Sequence, residues 1–465
     1  MYIVPPVASK RKASVRKSPA LRTDPSSSPE KRLTLSIAVA ALAMSIAGAS
    51  LIVDPRAEAA FDAPKRLVAL IGIVVASVAI LAIANFPPPR QWRNRPRLQN
   101  VILIMAVVAI AGAIVAAIAS PRRAISVDAA RVLILFALCL PLGASRALQG
   151  KRGITLLAVF IVASAINAAI SIFQALGIFQ PLTIESIAGR VTSVGLIGNE
   201  GLLGLLMAMG AVASLGLARF ASSSRTRTAC WAAFGAMLIA LVASRNLTGW
   251  IALSVGIIPL VGDLLTTRRI FSWPAAIAIV VLLAGVIATP GTRSRAASLV
   301  RQARSGDWDS ILSYRLAPWA AGADMIRERP ILGFGPGTFG AEFVPHCLTA
   351  EIRWGRRFLN PQSSGSYVQA HSDYLDGFAE IGIPAGLAAD AAVVTLIIGL
   401  TQIVGRTSGR IRHEALVVLA ILLVGSVGAL AWSTFQQAAL AVPILIAAGR
   451  GWRLLGADAR ENALL

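Results

Sequence analysis

Residues 369–382 read QAHSDYLDGFAEIG, and an apolar run over 381–404 follows directly. A run of that length with few charges can cross a bilayer as a helix. A histidine, two aspartates and a glutamate therefore stand at the entry to a membrane segment, in a chain with only three histidines. Further apolar runs lie at 33–53, 67–86, 100–119, 129–146, 154–178, 194–218, 229–244, 248–265, 272–289, 414–432 and 434–449. Together they predict an all-α polytopic membrane protein with about twelve transmembrane helices. The composition agrees, at 56% hydrophobic and 14% charged residues. A net charge of +22 would suggest nucleic acid in a soluble domain. Here most basic residues sit in short loops between apolar runs, so the bilayer is the expected partner and nucleic acid is not.

Those loops also orient the chain. With the N-terminus in the cytoplasm, 26 of the 44 Lys and Arg fall inside. Ten of the other 18 lie in one long segment, 290–380, and long loops count little in the positive-inside rule. Both termini are thus expected in the cytoplasm. The expected layout is a disordered basic tail over 1–32, helices one to nine over 33–289, and a periplasmic loop over 290–380. Helices ten to twelve over 381–449 and a cytoplasmic tail over 450–465 follow. A loop of that length inside a compact chain is usually functional. Its aromatics (Trp308, Trp319, Phe334, Phe339, Phe343, Trp354 and Tyr367) supply a small core, and Ile311, Tyr314, Ala317 and Ala321 share a face of a helix over 311–328.

Several residues carry chemistry, each with a plainer alternative. Arg245, in SRNLTG (244–249), lies between two apolar runs. Such an arginine either faces a cavity or an anionic group, or snorkels to headgroups. Arg315, in the loop's first helix, is either a ligand-facing cation or a solvated surface charge. GFGPGTFG (333–340) lacks the Lys-Ser/Thr ending and the preceding strand of a phosphate loop, so turns at the membrane surface are expected. His346, Cys347 and His371 fit no usual zinc spacing, and no metal or other cofactor is expected. Cys139, Cys230 and Cys347 make no disulfide framework. His371 opens a helix that Ser372 or Asp373 can cap. The helix dipole and nearby arginines disfavour its protonation, which leaves a neutral acceptor able to take a proton from a hydroxyl. A structural hydrogen-bonding role is the alternative.

Four stretches in this order resemble the O-antigen ligase family, whose superfamily also holds O-antigen and exopolysaccharide polymerases. They are FQ at 173–174 followed by R…GN around Arg190 and Asn199, SR at 244–245, YR…W…A…M…RP..G.G.G.F from Tyr314, and H..YL…AE.G from His371. Ser372 suits the family pattern after the histidine, whereas Glu200 stands where many members have a second asparagine. The resemblance implies a GT-C-like glycosyltransferase in a bacterial inner membrane with its active site in the periplasm. The donor would be a glycan on undecaprenyl diphosphate, and the acceptor a hydroxyl of lipid A-core (ligase) or of another glycan (polymerase). It places the catalytic roles on His371 and Arg315, and substrate binding on Arg245, Arg190, Asn199, Trp319 and Tyr314.

The chemistry of the residues suits that reaction. Guanidinium groups are forked, permanently charged donors for phosphate oxygens. Placed in advance, they stabilise a departing diphosphate without a metal. A histidine on the opposite face can activate the acceptor hydroxyl, and direct displacement would invert the anomeric centre. The rival class is a twelve-helix transporter with Asp263 or Asp390 as coupling sites. Against it, the large loop follows helix nine, and the central connection, 219–228, is short. The halves show no repeat of the kind carriers carry.

Overall fold

The structure, a computed structural model, describes residues 28–57, 59–83, 96–179, 193–266, 297–298, 300–312, 314–359 and 367–461. Among these residues every regular element is helical. The long helices are α1 (Pro29–Leu51), α2 (Ala63–Ile83), α3 (Arg97–Ala119), α4 (Arg123–Ala144), α5 (Lys151–Ala175), α6 (Glu200–Phe220), α7 (Ser224–Ser244) and α8 (Leu247–Thr266). After a single helical turn at Trp308–Ile311, two longer loop helices follow, α9 (Leu316–Glu328) and α10 (Phe339–Trp354), and then α11 (Asp373–Arg406), α12 (Gly409–Ala431) and α13 (Ala438–Glu461). Ten described helices are long and apolar enough to span a membrane, and α8 has a shorter apolar stretch, Leu247–Asp263. The protein is a polytopic all-α membrane protein. The ninth expected helix, 272–289, lies outside the described residues.

The helix ends differ from the apolar runs where local chemistry overrides hydropathy. α1 begins at Pro29, inside the stretch expected to be a disordered tail, because Ser28 caps it through Lys31 N (3.4 Å) and Pro29 suits a first turn. α4 breaks at Leu138, where Pro141 removes a donor and crowds the carbonyl four residues back. α6 starts at Glu200, not at 194, because Gly195 and Gly198 are left-handed and Asn199 caps the helix. α13 continues past 449 to Glu461, with Leu454 and Leu455 buried and Trp452 tied reciprocally to Gln99 (2.7 and 2.9 Å). In the loop, the helix expected from 311 begins only at Leu316, since Tyr314 takes φ 61°.

α6 is the axis of the bundle. Every residue from Gly201 to Ala218 is buried, as a helix apolar on all sides requires. Between helices in lipid there is little hydrophobic drive, so close backbone approach and polar ties carry the association. Gly204 meets Asn246, Gly210 meets Met237 and Ser164, and Gly216 meets Val417. α5 contributes polar side chains to the chain entering α6: Asn167 Oδ1 accepts from Leu196 N (2.9 Å), and Gln174 Oε1 accepts from Val194 N (3.0 Å) and Gly195 N (2.8 Å). These bonds satisfy backbone that cannot meet water at that depth.

Helix alternation puts the described connections 52–57, 59–62, 193–199, 245–246 and 432–437 at one end of the bundle, with 307–312, 314–359 and 367–372 beside them. Side-chain contacts agree. Lys65 Nζ donates to Leu196 O (2.6 Å), Ser120 Oγ to Phe334 O (2.5 Å), and Arg122 pairs with Glu342 (2.9 Å). At the opposite end Asp263 lies between Arg219 (2.5 Å) and Arg412 (2.7 Å), joining α8, α6 and α12. This clasp occupies the aspartate that a carrier reading would cast as a coupling site. The packing argument makes a prediction. Gly210→Val should destabilise the purified protein by about 1–3 kcal/mol through overpacking, whereas Gly235→Ala, where a new Cβ meets nothing within 4 Å, should not. Equal melting temperatures for the two variants in detergent would contradict the assigned core.

Candidate functional site

The loop segment closes on a break in α11. Gly382 has φ 80° and ψ 164°, so the helix stops and restarts there. Pro330–Phe339 docks against the break, with Ile383 N donating to Pro330 O (2.8 Å), Phe334 N to Ala379 O (3.0 Å) and Gly335 N to Glu380 O (2.7 Å). Gly333, Gly335 and Gly337 are all left-handed. A Cβ at Gly333 would run into Glu380 O, so the glycines are needed for close approach. The buried Glu380 carboxylate accepts from Gly337 N (2.8 Å) and Phe339 N (3.0 Å). GFGPGTFG is therefore a nest filled by the protein's own carboxylate, as a reading of turns rather than a phosphate loop expects.

Above this clasp lies a small core of Ala317, Ala321, Met325, Phe334, Phe339, Phe343 and Cys347. Of the aromatics expected in it, Phe334, Phe339 and Phe343 are buried and Tyr367 packs beside them, but Trp308 and Trp354 are half exposed. Burial and Glu351 push the Cys347 thiol up to about 11. α9 and α10 are tied by an ionic cluster in which Asp324 holds His346 Nδ1 (2.9 Å) and Arg353. Arg353 is the first arginine of RWGRR (353–357), so it answers an internal charge.

On the face toward the bundle, His371 and Arg315 meet at Trp432. The His371 ring stands edge-on to Trp432 (centroids 5.5 Å, 84°) and to Tyr367 (5.8 Å, 89°), and Arg315 Cζ lies 5.1 Å from the Trp432 ring. Tyr367 Oη donates to Tyr314 O (2.8 Å), which joins the start of α9 to the histidine segment. Burial, and then the charge of Arg315, lower the His371 pKa to about 4. Burial also lowers that of Arg315, which stays cationic at any ordinary pH. The sequence reading expected a neutral histidine; the physical cause is mainly desolvation, with the arginine second.

The segment carrying His371 is fixed by α11 and by the 432–437 connection. Asp376, buried, accepts from Ala370 N (2.8 Å), Ser433 Oγ (3.2 Å) and Gln436 Nε2 (3.4 Å). Gln369 Nε2 donates to Gln436 Oε1 (2.6 Å), and Phe435 N donates to Asp373 Oδ2 (3.1 Å). Ser372 holds the N-cap position of α11, but its hydroxyl makes no cap bond, and Asp373 turns to Phe435 instead. Trp432, Asp376 and Tyr367 are thus site-building residues that single motifs do not announce. A tryptophan ending an apolar run reads as an interfacial anchor.

The remaining expected residues are placed unequally. Trp319 lies one turn beyond Arg315 on α9, with its indole N–H buried and unpaired. Asn199 caps α6, accepting from Gly201 N (2.8 Å) and Leu202 N (3.1 Å), which engages its amide oxygen structurally. It neighbours the site because Gly201 packs on Trp432. Arg245 is exposed at the same end of the bundle, one helix away, in the turn whose Asn246 packs on Gly204. Arg190 lies outside the described residues. Arg245, Tyr314 and His371 are the non-glycine residues with positive φ (52°, 61° and 54°) among those described. Such backbone costs about 1–3 kcal/mol per residue and tends to cluster at functional sites.

A comparison with curated proteins finds no match. Residues 232–389 match the family model described as O-Antigen ligase, a span that runs from within α7 through Arg245, the loop helices, Arg315 and His371 into α11. This membrane protein carries an O-antigen ligase domain, and with it the character of a ligase- or polymerase-type membrane glycosyltransferase.

Proposed function

We propose that the protein transfers a glycan from undecaprenyl diphosphate to a sugar hydroxyl at the loop-bearing face of a bacterial inner membrane. That face is assigned to the periplasm, with both termini cytoplasmic, because the excess of short-loop arginines lies at the opposite end. The observation that carries the reading is the meeting of a neutral histidine and an arginine on Trp432, from segments far apart in sequence.

In this reaction His371 accepts the proton of the acceptor hydroxyl as its oxygen attacks the anomeric carbon. The bond from that carbon to the diphosphate oxygen breaks, the configuration inverts, and the lipid diphosphate leaves with the added negative charge. Arg315, half-buried and already in place, lies where it can stabilise that charge. The donor's own charge beside Arg315 would also offset the cation that depresses His371, making the imidazole a better base once donor is bound. Arg245 and Trp319 line the approach on this reading, and Tyr314 positions Arg315. Asp376 is a positioning residue, acting on His371 through Ala370 and on Trp432 through Ser433.

For the acceptor we propose a lipid A-core sugar, following the family description. A polymerase would use the same donor with a lipid-linked repeat as acceptor. Deleting the gene in a strain with full-length surface polysaccharide should leave bare lipid A-core, with polymer retained on undecaprenyl diphosphate. Core capped by a single repeat would show a polymerase instead.

Purified His371→Ala should lose about 10²–10⁴-fold in transfer rate. Arg315→Lys should also be poor, because a point charge does not replace the planar fork. The neutral imidazole is the active form and its pKa lies at about 4 in the free protein. Activity in kcat/KM should therefore hold from pH 7 to 5 and fall only as pH drops toward 4. An acid limb near 6.5, or near-normal transfer by His371→Ala, would sink His371 as the base. Asp376→Ala should lower kcat and move the acid limb upward as His371 becomes more solvated. An unshifted limb would reduce Asp376 to a purely structural role.

A further inference from the structure

A second candidate site lies at the far end of a cavity whose near end adjoins the segment carrying His371. A cavity of about 2460 Å³ runs between α3, α4, α11, α12 and α13. It reaches from Gly337, Asp376 and Phe435 at the loop-bearing end to Arg410 and Arg450 at the opposite end. It thus extends across the thickness that the spanning helices define, about 30 Å of hydrocarbon. Its walls are mainly apolar, with Leu103, Val107, Leu133 and Leu396 among them. Leu133 and Ile134 remain 39% and 37% exposed. Within a bilayer, a space walled in this way is suited to acyl chains.

The two ends differ in charge. Asp373, Asp376 and Glu380 line the loop-bearing end. Arg66 also lines the cavity, but it is paired with Asp62 at 2.5 Å. At the far end stand Arg146, Arg410, Arg450 and Arg453, with Glu414 as the acidic lining residue. That end is constructed rather than loose. Arg450 is held by both oxygens of Glu414 (2.6 and 2.8 Å), and Gln99 and Trp452 bond each other across α3 and α13. Arg410 reaches over Gly150, whose φ of 70° turns the chain beneath it. Among the described lining residues, an amphiphile with a negative head entering this cavity finds no cation free of a carboxylate partner at the loop-bearing end, where Arg66 is paired with Asp62, and meets several guanidinium groups at the other.

We infer that the cavity binds an anionic phospholipid, its chains between α4 and α11 and its phosphate among Arg146, Arg410, Arg450 and Arg453. Basic pockets between membrane helices on the cytoplasmic side are suited to such headgroups, and arginine forks match phosphate oxygens. The headgroup position lies at the end of the bundle opposite Arg315, which separates it from the phosphates of a glycan donor held there.

The test uses the full chain purified in mild detergent. Bound lipid is identified by mass spectrometry, and the delipidated protein is titrated with phosphatidylglycerol, phosphatidylcholine and inorganic phosphate while thermal unfolding is followed. Phosphatidylglycerol should co-purify and raise the melting temperature well beyond phosphatidylcholine. The double variant Arg410→Gln/Arg453→Gln should bind it about 30-fold more weakly, since each arginine near an anionic headgroup is worth about a factor of five. Arg410→Gln alone, at an exposed position, serves if the double variant does not fold, and exposed Arg225→Gln at the same end should bind as wild type. Equal effects of both lipids, full stabilisation by inorganic phosphate, or a polyprenyl lipid recovered in place of phospholipid would each overturn the inference.

Discussion

The Glu380 carboxylate, buried and bonded to the amides of Gly337 and Phe339, is the contact on which the upper half of the molecule depends. It works together with the break at Gly382, which turns the backbone so that Pro330 O and Ala379 O can be used across the junction. A membrane helix and a polar loop are thereby joined without leaving backbone groups unsatisfied, which the low-dielectric surroundings would penalise heavily. Once the glycine-rich turn is seated, α9 and α10 can share a core, and Arg315 at the start of α9 is brought onto Trp432 at the end of the bundle. An anion nest that might have held a substrate phosphate is instead spent on architecture.

The site that results is assembled from the start of α9, the 367–372 segment, the 432–437 connection and the start of α6. Asp376 and the Gln369–Gln436 pair hold the histidine segment to the 432–437 turn, and α6 presents Gly201 to the back of Trp432. The left-handed backbone at His371 and Tyr314 is sustained by this surrounding scaffold. Strain of that kind persists only where many other contacts over-determine the conformation. The indole of Trp432 touches both the neutral histidine and the arginine of the proposed reaction, so the two are set relative to each other before any substrate arrives.

The two ends of the molecule divide their labour by charge. At the loop-bearing end acidic groups are buried and mostly bonded to amides and hydroxyls. At the other end arginines dominate, and the buried Asp263 is held by two of them. Removing one partner from such a buried cluster would be costly, because it strands a charge in a medium that solvates it poorly. The same asymmetry gives the large cavity a polarity that its apolar walls lack.

Hydrophobic run length alone determined most of the spanning helices, because a segment of about twenty apolar residues has few stable options other than a bilayer helix. The order of the short motifs was likewise legible and pointed to the family that the 232–389 match supports. Helix ends were less so, since Ser28, Pro141 and Asn199 act through caps and lost hydrogen bonds that hydropathy does not register. Glu380 and the three glycines could be read as a turn, but their mutual bonding could not, being a contact across 43 residues. Trp432 was visible only as the end of an apolar run. Its place between His371 and Arg315 was decided by tertiary structure, because the packing of α6, the break in α11 and the Asp376 bonds together choose which distant side chains share one surface.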